Sequence, residues 1–190
     1  IIKEIIRAYR IPILEVAGYE ADDVIGTLAT EAGRQGIITY MMTPDKDYGQ
    51  LVSDKVFMYR PKHTGGFEVM GVDEVKAKFD IQSPAQVIDM LGLMGDSSDN
   101  IPGCPGVGEK TAQKLIAEFG SIENLLEHTD QLKGALKTKV ETNREMITFS
   151  KFLATIKIDV PIQLDMDSLV REQADEDSLR QIFEELEFRT

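Results

Sequence analysis

Leu91-Gly92-Leu93-Met94-Gly95-Asp96-Ser97-Ser98-Asp99-Asn100-Ile101-Pro102-Gly103-Cys104-Pro105-Gly106-Val107-Gly108-Glu109-Lys110-Thr111-Ala112 brings two chemistries together within a few residues. A pair of carboxylates, Asp96 and Asp99, runs directly into a glycine-rich turn that opens an amphipathic helix. The carboxylates suit a divalent cation and the turn suits a phosphate. Gly103, Gly106 and Gly108 allow backbone conformations closed to residues with a side chain, while Pro102 and Pro105 stiffen the approach. Outward-pointing amides, with the free N–H groups and partial positive charge at the helix start, make an anion site that needs no cationic side chain. Lys110 and Lys114 add point charges on one helical face, and Ala112, Leu115, Ile116 and Phe119 supply the buried face. A proline-glycine turn that merely caps a helix is the plainer alternative.

Working outward, the chain changes character near residue 72. The opening helix ends near Arg10, because Pro12 disfavours helical geometry just before it. Residues 13–16 read as a short strand, and 20–34 as a helix with Val24, Ile25, Leu28, Ala29 and Ala32 inward. Residues 37–43 form an apolar run expected of a strand covered on both faces, with further strands at 56–59 and 67–70. Strand, helix, strand in this order implies a right-handed crossover and a parallel α/β sheet. Beyond residue 72 only helices are expected: 73–79, 84–94, 108–119, 121–127, one long helix over 133–153, and a last one near 176–187. The acidic stretch 165–177 reads as a solvated connector.

The chain has 190 residues, 42% of them hydrophobic, enough for one good-sized core or one core plus a small helical module. No apolar run approaches the length of a membrane span and no signal peptide is visible, so a soluble intracellular protein is expected. The single cysteine, Cys104, excludes an internal disulfide framework and reads as small-residue packing in the turn. A net charge of -12 argues at first against a polyanionic partner. However, the deficit is uneven: residues 103–151, which hold the turn, carry 7 basic and 7 acidic residues. Carboxylates that hold cations also present little bare charge once loaded. The chain opens at Ile1 inside an amphipathic pattern with no capping residue, as expected of a piece of a longer protein.

Two further acidic groups fall where an α/β sheet places its active site, at the carboxyl ends of strands. Glu20, Asp22 and Asp23 follow the first expected strand, and Asp45 and Asp47 follow the second. With Asp96 and Asp99 they make seven candidates from three segments, and neither His63 nor His128 lies among them. Magnesium wants hard oxygen ligands and keeps several waters, which suits such a set. Each group alone is explained by a helix dipole, a turn or a cap. Their shared sheet edge favours a metal centre.

The segments Gly18-Tyr19-Glu20-Ala21-Asp22-Asp23-Val24-Ile25, Thr43-Pro44-Asp45-Lys46-Asp47 and Gly95 to Gly103, followed by Gly106 to Ala112, closely resemble the 5' nuclease domains of bacterial DNA polymerases I, relatives of the flap endonucleases. The glycine turn resembles the hairpin of helix-hairpin-helix DNA-binding modules. The resemblance runs over nearly the whole chain and reaches Phe183-Glu184-Glu185-Leu186-Glu187-Phe188. It implies a partial parallel sheet of the PIN/resolvase-like nuclease type over residues 1–94, an all-α helix-hairpin-helix module over 95–155, and a segment over 156–190 leading to a polymerase portion. It implies hydrolysis of phosphodiesters at 5' ends and flaps of branched DNA and RNA primers in replication and repair. Glu20, Asp22, Asp45, Asp47, Asp96 and Asp99 match the catalytic metal ligands, with Asp23 beside them, for two Mg2+ or Mn2+ ions. Gly103, Gly106, Val107, Gly108, Lys110, Thr111 and Lys114 match the DNA contacts, and a K+ ion is implied at the turn. A monomeric, cytoplasmic, nucleoid-associated enzyme is implied. The family's amino-terminal strand, further aspartates and helical arch have no counterpart here, so this chain alone is expected to be a weak or inactive nuclease. A noncatalytic structure-specific DNA-binding module is the main rival. A metal-dependent phosphatase is a weaker one, since it leaves the glycine hairpin unexplained.

Overall fold

In the computed structural model, residues 1–62 and 64–188 are described. A small mixed sheet lies against a helical layer, and one continuous buried cluster runs through both, from Ala29 to Ile156. The sheet has three strands in the order β1 (Thr39–Met42), β2 (Val56–Pro61), β3 (Phe67–Met70). β1 and β2 are parallel, with Thr39 opposite Val56 and Met42 opposite Tyr59. β3 joins this parallel pair from the other direction: it returns antiparallel to β2, with Met58 opposite Met70. Gly65 and Gly66, both at positive φ, allow the tight reversal, closed by the Lys62 N–H donating to the Gly66 carbonyl at 2.9 Å.

Strand alternation sorts the side chains. Met41, Val56 and Met58 point into the core. Tyr40, Phe57, Tyr59 and Phe67 line the other face as a ladder of rings, with Tyr40–Phe57 centroids 5.6 Å apart and Tyr59–Phe67 centroids 4.6 Å apart. That face is open among the described residues, so residues 37–43 are covered on one side and not on both. The segment 13–16 is not a strand. It has no neighbour to pair with, Pro12 lacks a donor, and Leu14 is exposed.

The helices are α1 (Ile2–Ala8), α2 (Ala21–Arg34), α3 (Val72–Phe79), α4 (Val87–Met94), α5 (Glu109–Phe119), α6 (Ile122–Glu127), α7 (Gly134–Thr142), α8 (Arg144–Ala154) and α9 (Glu176–Glu185). Ile25 of α2, expected inward, is exposed; Val24, Ala29 and Ala32 carry its buried stripe. The long helix expected over 133–153 is two, broken at Asn143, whose Nδ2 donates to the Lys139 carbonyl at 2.8 Å. Asparagine competes in this way for backbone acceptors and so interrupts helices.

α4 is apolar around most of its surface and is the central helix, packed by α5, α6 and α8. Gly92 makes the close approach possible: a Cβ there would lie 2.7 Å from Ile122 Cδ1 and 3.0 Å from Lys151 Cα. The buried Asp89 carboxylate ties α4 to α6 and α8. Its Oδ1 accepts from Lys151 Nζ at 2.6 Å and from the Ile122 N–H at 2.9 Å. Lys151 also reaches Glu123 at 2.8 Å. After α8 the chain runs back along α2, where Thr27 Oγ1 accepts from the Val160 N–H at 3.1 Å. No helix among the described residues is long and apolar enough to cross a membrane.

Candidate functional site

The three acidic segments meet. Glu20, Asp22, Asp23, Asp45, Asp47 and Asp99 all line one cavity of about 850 Å³, whose opposite wall is formed by Phe152 to Asp159. At its edge, carboxylate oxygens of Asp47 and Asp99, which line it, and of Asp96, which does not, lie within 4.8 Å of one another. Glu20, Asp22, Asp23 and Asp45 stand further out and are not part of that tight group.

Each side chain is placed by local structure. Glu20 is the N-cap residue of α2, and although its side chain makes no capping hydrogen bond, it stands with Asp22 and Asp23 at the positive end of the helix dipole. Asp45 follows β1 and does cap the 3-10 turn at Lys46–Leu51, accepting from the Asp47 N–H at 3.0 Å and keeping its second oxygen free. Asp96 leaves the end of α4 through Gly95 and sits in an isolated antiparallel bridge with Ile101, with N–H to carbonyl distances of 2.9 and 2.7 Å. Its Oδ1 accepts from the Ser98 N–H at 2.8 Å. Asp23 is engaged elsewhere: its Oδ1 accepts from the Lys157 N–H at 2.8 Å and pins the returning chain to α2. That bond engages one of its two oxygens while the residue still lines the cavity. The first group therefore reaches the cavity from a helix start, since no strand precedes it.

The electrostatics of the cluster are those of crowded carboxylates. Burial, then the charges of Asp45, Asp96 and Asp99, push the Asp47 carboxyl up to about 6 against the pull of Lys46. Its Oδ1 is buried with no hydrogen-bond partner. Burial also raises Asp22, assisted by Asp23 and Asp45. The Tyr48 phenol is pushed up to about 12 by burial and by the charges of Asp22, Asp45 and Asp23. Asp96 moves the other way: burial works to raise it, but the Lys46 ammonium and the Ser98 amide hold it below the usual carboxylate range. Lys46 was absent from the expected set. It contacts Asp96 directly and stands 3.7 Å from Asp47, so it is the cluster's internal counter-charge. Its position between Asp45 and Asp47 in the sequence was the available signal.

Directly beyond the cluster, the glycine turn is held from the helical layer. The Gly103 N–H donates to the buried Ser150 Oγ of α8 at 2.9 Å, and the Cys104 N–H to the Leu93 carbonyl at 2.8 Å. Gly103 has φ +62°, and a Cβ there would fall 2.3 Å from the Gly95 nitrogen, so only glycine fits. Gly106 also has positive φ. Gly108 does not bear out the expectation: its φ of -97° is open to any residue and nothing lies near its missing side chain. It is the N-cap of α5, and its carbonyl accepts from the Thr111 and Ala112 amides at 3.0 and 2.9 Å. Lys110 and Lys114 are exposed on the first turns of α5, while Val107 is buried beneath the turn. Cys104 is buried and its thiol is raised by that burial, as packing requires.

Gln50 is a second residue the sequence did not single out. Its amide donates to the Asp47 and Ala154 carbonyls at 3.0 and 2.9 Å and accepts from the Ile156 N–H at 2.9 Å, bracing the two walls of the cavity against each other.

A family profile described as 5'-3' exonuclease, N-terminal resolvase-like domain, matches residues 1–80, and one described as 5'-3' exonuclease, C-terminal SAM fold, matches residues 82–177. DNA polymerase I of Bacillus subtilis (strain 168) is 44% identical over 191 residues, and that of Bacillus caldotenax is 42% identical over 192 residues. Each match covers 100% of this chain and 22% of the relative, so the chain spans about a fifth of the length of these polymerases. Among solved structures, zinc-bound T5 5'-exonuclease superposes with a TM-score of 0.69 at 20% identity, covering 92% of this chain and 61% of that one. The catalytic core of Rad2 in complex with DNA substrate gives 0.64 at 17% identity, over 97% and 61%. These two likenesses are of fold.

Proposed function

The chain belongs to the 5'-3' exonuclease family, and we propose that it is the 5' nuclease part of a DNA polymerase I, hydrolysing phosphodiesters at 5' ends and flaps of branched DNA. The observation that carries the reading is the cluster of Asp47, Asp96 and Asp99 oxygens within 4.8 Å, next to a hairpin whose Gly103, Cys104 and Val107 amides are bonded internally while those of Gly106, Gly108, Glu109 and Lys110 have no backbone acceptor among the described residues. A divalent cation fits the residues present. The donors are all hard oxygens, Asp47 Oδ1 is buried without a hydrogen-bond partner, and burial together with the neighbouring carboxylates pushes Asp47 up to about 6. Asp47, Asp96 and Asp99 would hold one ion, and Asp45, Asp22 and Glu20 around the same cavity would help to hold a second. When bound, Mg2+ or Mn2+ supplies the Lewis-acid charge that favours in-line displacement at phosphorus.

The chain's own residues do the rest. Exposed amides at the start of α5, with Lys110, Thr111 and Lys114, hold a phosphate of the duplex beside the cluster. Gly103, fixed by Ser150, and Gly106 shape that seat, with Val107 packed beneath it. The Gly106 carbonyl accepts from Lys139 Nζ at 3.3 Å, so this ammonium supplies positive charge at the turn, and a monovalent cation such as K+ would have to displace it to be held there. Lys46 keeps Asp96 ionised. In this reading residues 1–94 carry the α/β layer, 95–155 the duplex-gripping module, and 156–190 the approach to a covalent polymerase portion. The protein acts as a cytoplasmic, nucleoid-associated monomer.

Titration with Mn2+, followed by the electron paramagnetic resonance of the free ion, tests the reading. Asp99→Asn and Asp47→Asn are expected to weaken binding at least tenfold, since even outer partners of a metal are worth roughly 10–100-fold. Gly106→Val is expected to leave Mn2+ binding intact and to weaken duplex binding. Unchanged Mn2+ affinity in both aspartate variants would leave a DNA-binding module without a metal centre.

A further inference from the structure

The wall of the cavity facing the carboxylates has an apolar stretch, beside Thr155, Lys157 and Asp159, that the chemistry above does not use. Phe152 and Leu153 of α8 and Ile158 line it, and Phe152 is 72% exposed. Phe149, 55% exposed, stacks on Phe152 with ring centroids 6.4 Å apart and planes 19° from parallel. Two aromatic rings this open, on a helix whose opposite side is fully packed against α4, make an apolar patch that requires a partner. The patch is continuous with the cavity that holds Asp47 and Asp99. Whatever occupies the cavity must therefore present anionic groups to one wall and a flat apolar surface to the other. A nucleotide strand does both: its phosphate goes to cations held by the carboxylates, and the bases on either side project away from that phosphate.

We propose that Phe152, backed by Phe149, is a stacking platform for the unpaired nucleobase next to the phosphate held at the carboxylate cluster. This rests on the nuclease reading and extends it to base contact. The platform takes any base, because each has a π face and neither phenylalanine carries a hydrogen-bonding group. It therefore favours an unpaired nucleotide over a paired one without reading sequence, and it selects for strand ends and flaps rather than continuous duplex.

The test uses the chain with Ca2+ in place of Mg2+, a 5'-flap oligonucleotide carrying 2-aminopurine beside the junction phosphate, and fluorescence with anisotropy as readouts. The wild-type chain is expected to quench the probe on binding. Phe152→Ala and Phe149→Ala are expected to lose the quenching and to bind the flap about tenfold more weakly, the scale of one base–aromatic stack. Phe152→Trp restores both, and Phe152→Leu, apolar but not aromatic, restores neither. Equal quenching and affinity in Phe152→Ala overturns the proposal while leaving the nuclease reading intact, provided that binding still depends on Ca2+ and on Asp99. Loss of that dependence in the wild-type chain would sink the nuclease reading instead. A Phe152→Ala chain that sediments differently, or melts at a different temperature without DNA, shows the face to be covered by protein and also overturns it.

Discussion

Asp47→Asn is expected to make the metal-free chain more stable, with a size and pH window that follow from the site. The Asp47 side chain is 12% exposed, and burial with the charges of Asp45, Asp96 and Asp99 raises its carboxyl from 3.8 to about 6. A raised acid binds its proton more tightly in the folded state. Its favourable contribution is complete below the unfolded value near 3.8 and is lost as pH rises through about 6. A shift of about two units corresponds to about 3 kcal/mol. Asparagine keeps the shape and removes the charge, so the gain in unfolding free energy should be near zero at pH 4, grow up to pH 6 and level off above it. For a chain of this length 3 kcal/mol corresponds to roughly 6–12 °C in melting temperature. The assay is thermal unfolding in EDTA from pH 4 to 8 for both chains, repeated with saturating Mg2+. Divalent ion should raise the wild type and leave Asp47→Asn nearly unmoved, reversing their order. Parallel curves in EDTA across the pH range would refute the claim that crowded, partly desolvated charge strains this cluster.

The hairpin gives a contrast between two glycines. Gly103→Ala must clear the Gly95 nitrogen from positive φ and is expected to cost about 3 kcal/mol or more in urea unfolding, whereas Gly108→Ala should stay within about 0.5 kcal/mol. Lys151→Met strands the Asp89 carboxylate, only 5% exposed, and should destabilise by about 3–5 kcal/mol. Adding Asp89→Asn should recover most of that loss in a double-mutant cycle, and full additivity of the two single effects would show that the pair is not coupled. Ser150→Ala leaves the Gly103 N–H buried without an acceptor and should cost about 1–3 kcal/mol in the same assay while loosening duplex binding.

Much of the site was legible because its parts are local. Asp96 and Asp99 lie within a few residues of the turn they serve, and Asp45 and Asp47 flank a single lysine at the end of a strand, so spacing alone marks them. The helical half was legible for the same reason, with the starts of α5 and α6 falling within one residue of the expected 108 and 121. What failed was whatever depended on a partner distant in sequence. Residues 13–16 have the composition of a strand and no strand beside them. Asn143 divides a helix through one side-chain bond to Lys139 that no periodicity reveals.

The sequence alone determined which residues could bind a cation or a phosphate, because hard oxygen donors and positive-φ glycines are properties of residue type and short-range spacing. Only the tertiary structure decided which of them act together. Glu20, Asp45 and Asp99 share one cavity because α2, β1 and α4 pack on a common core, while one oxygen of Asp23 is engaged by the Lys157 amide. The aromatic wall at Phe152 likewise exists only because half-buried Lys151 and buried Ser150 fix the rotation of α8 against α4 and the hairpin. Long-range packing sets such rotations, since a helix by itself has no preferred direction for either face.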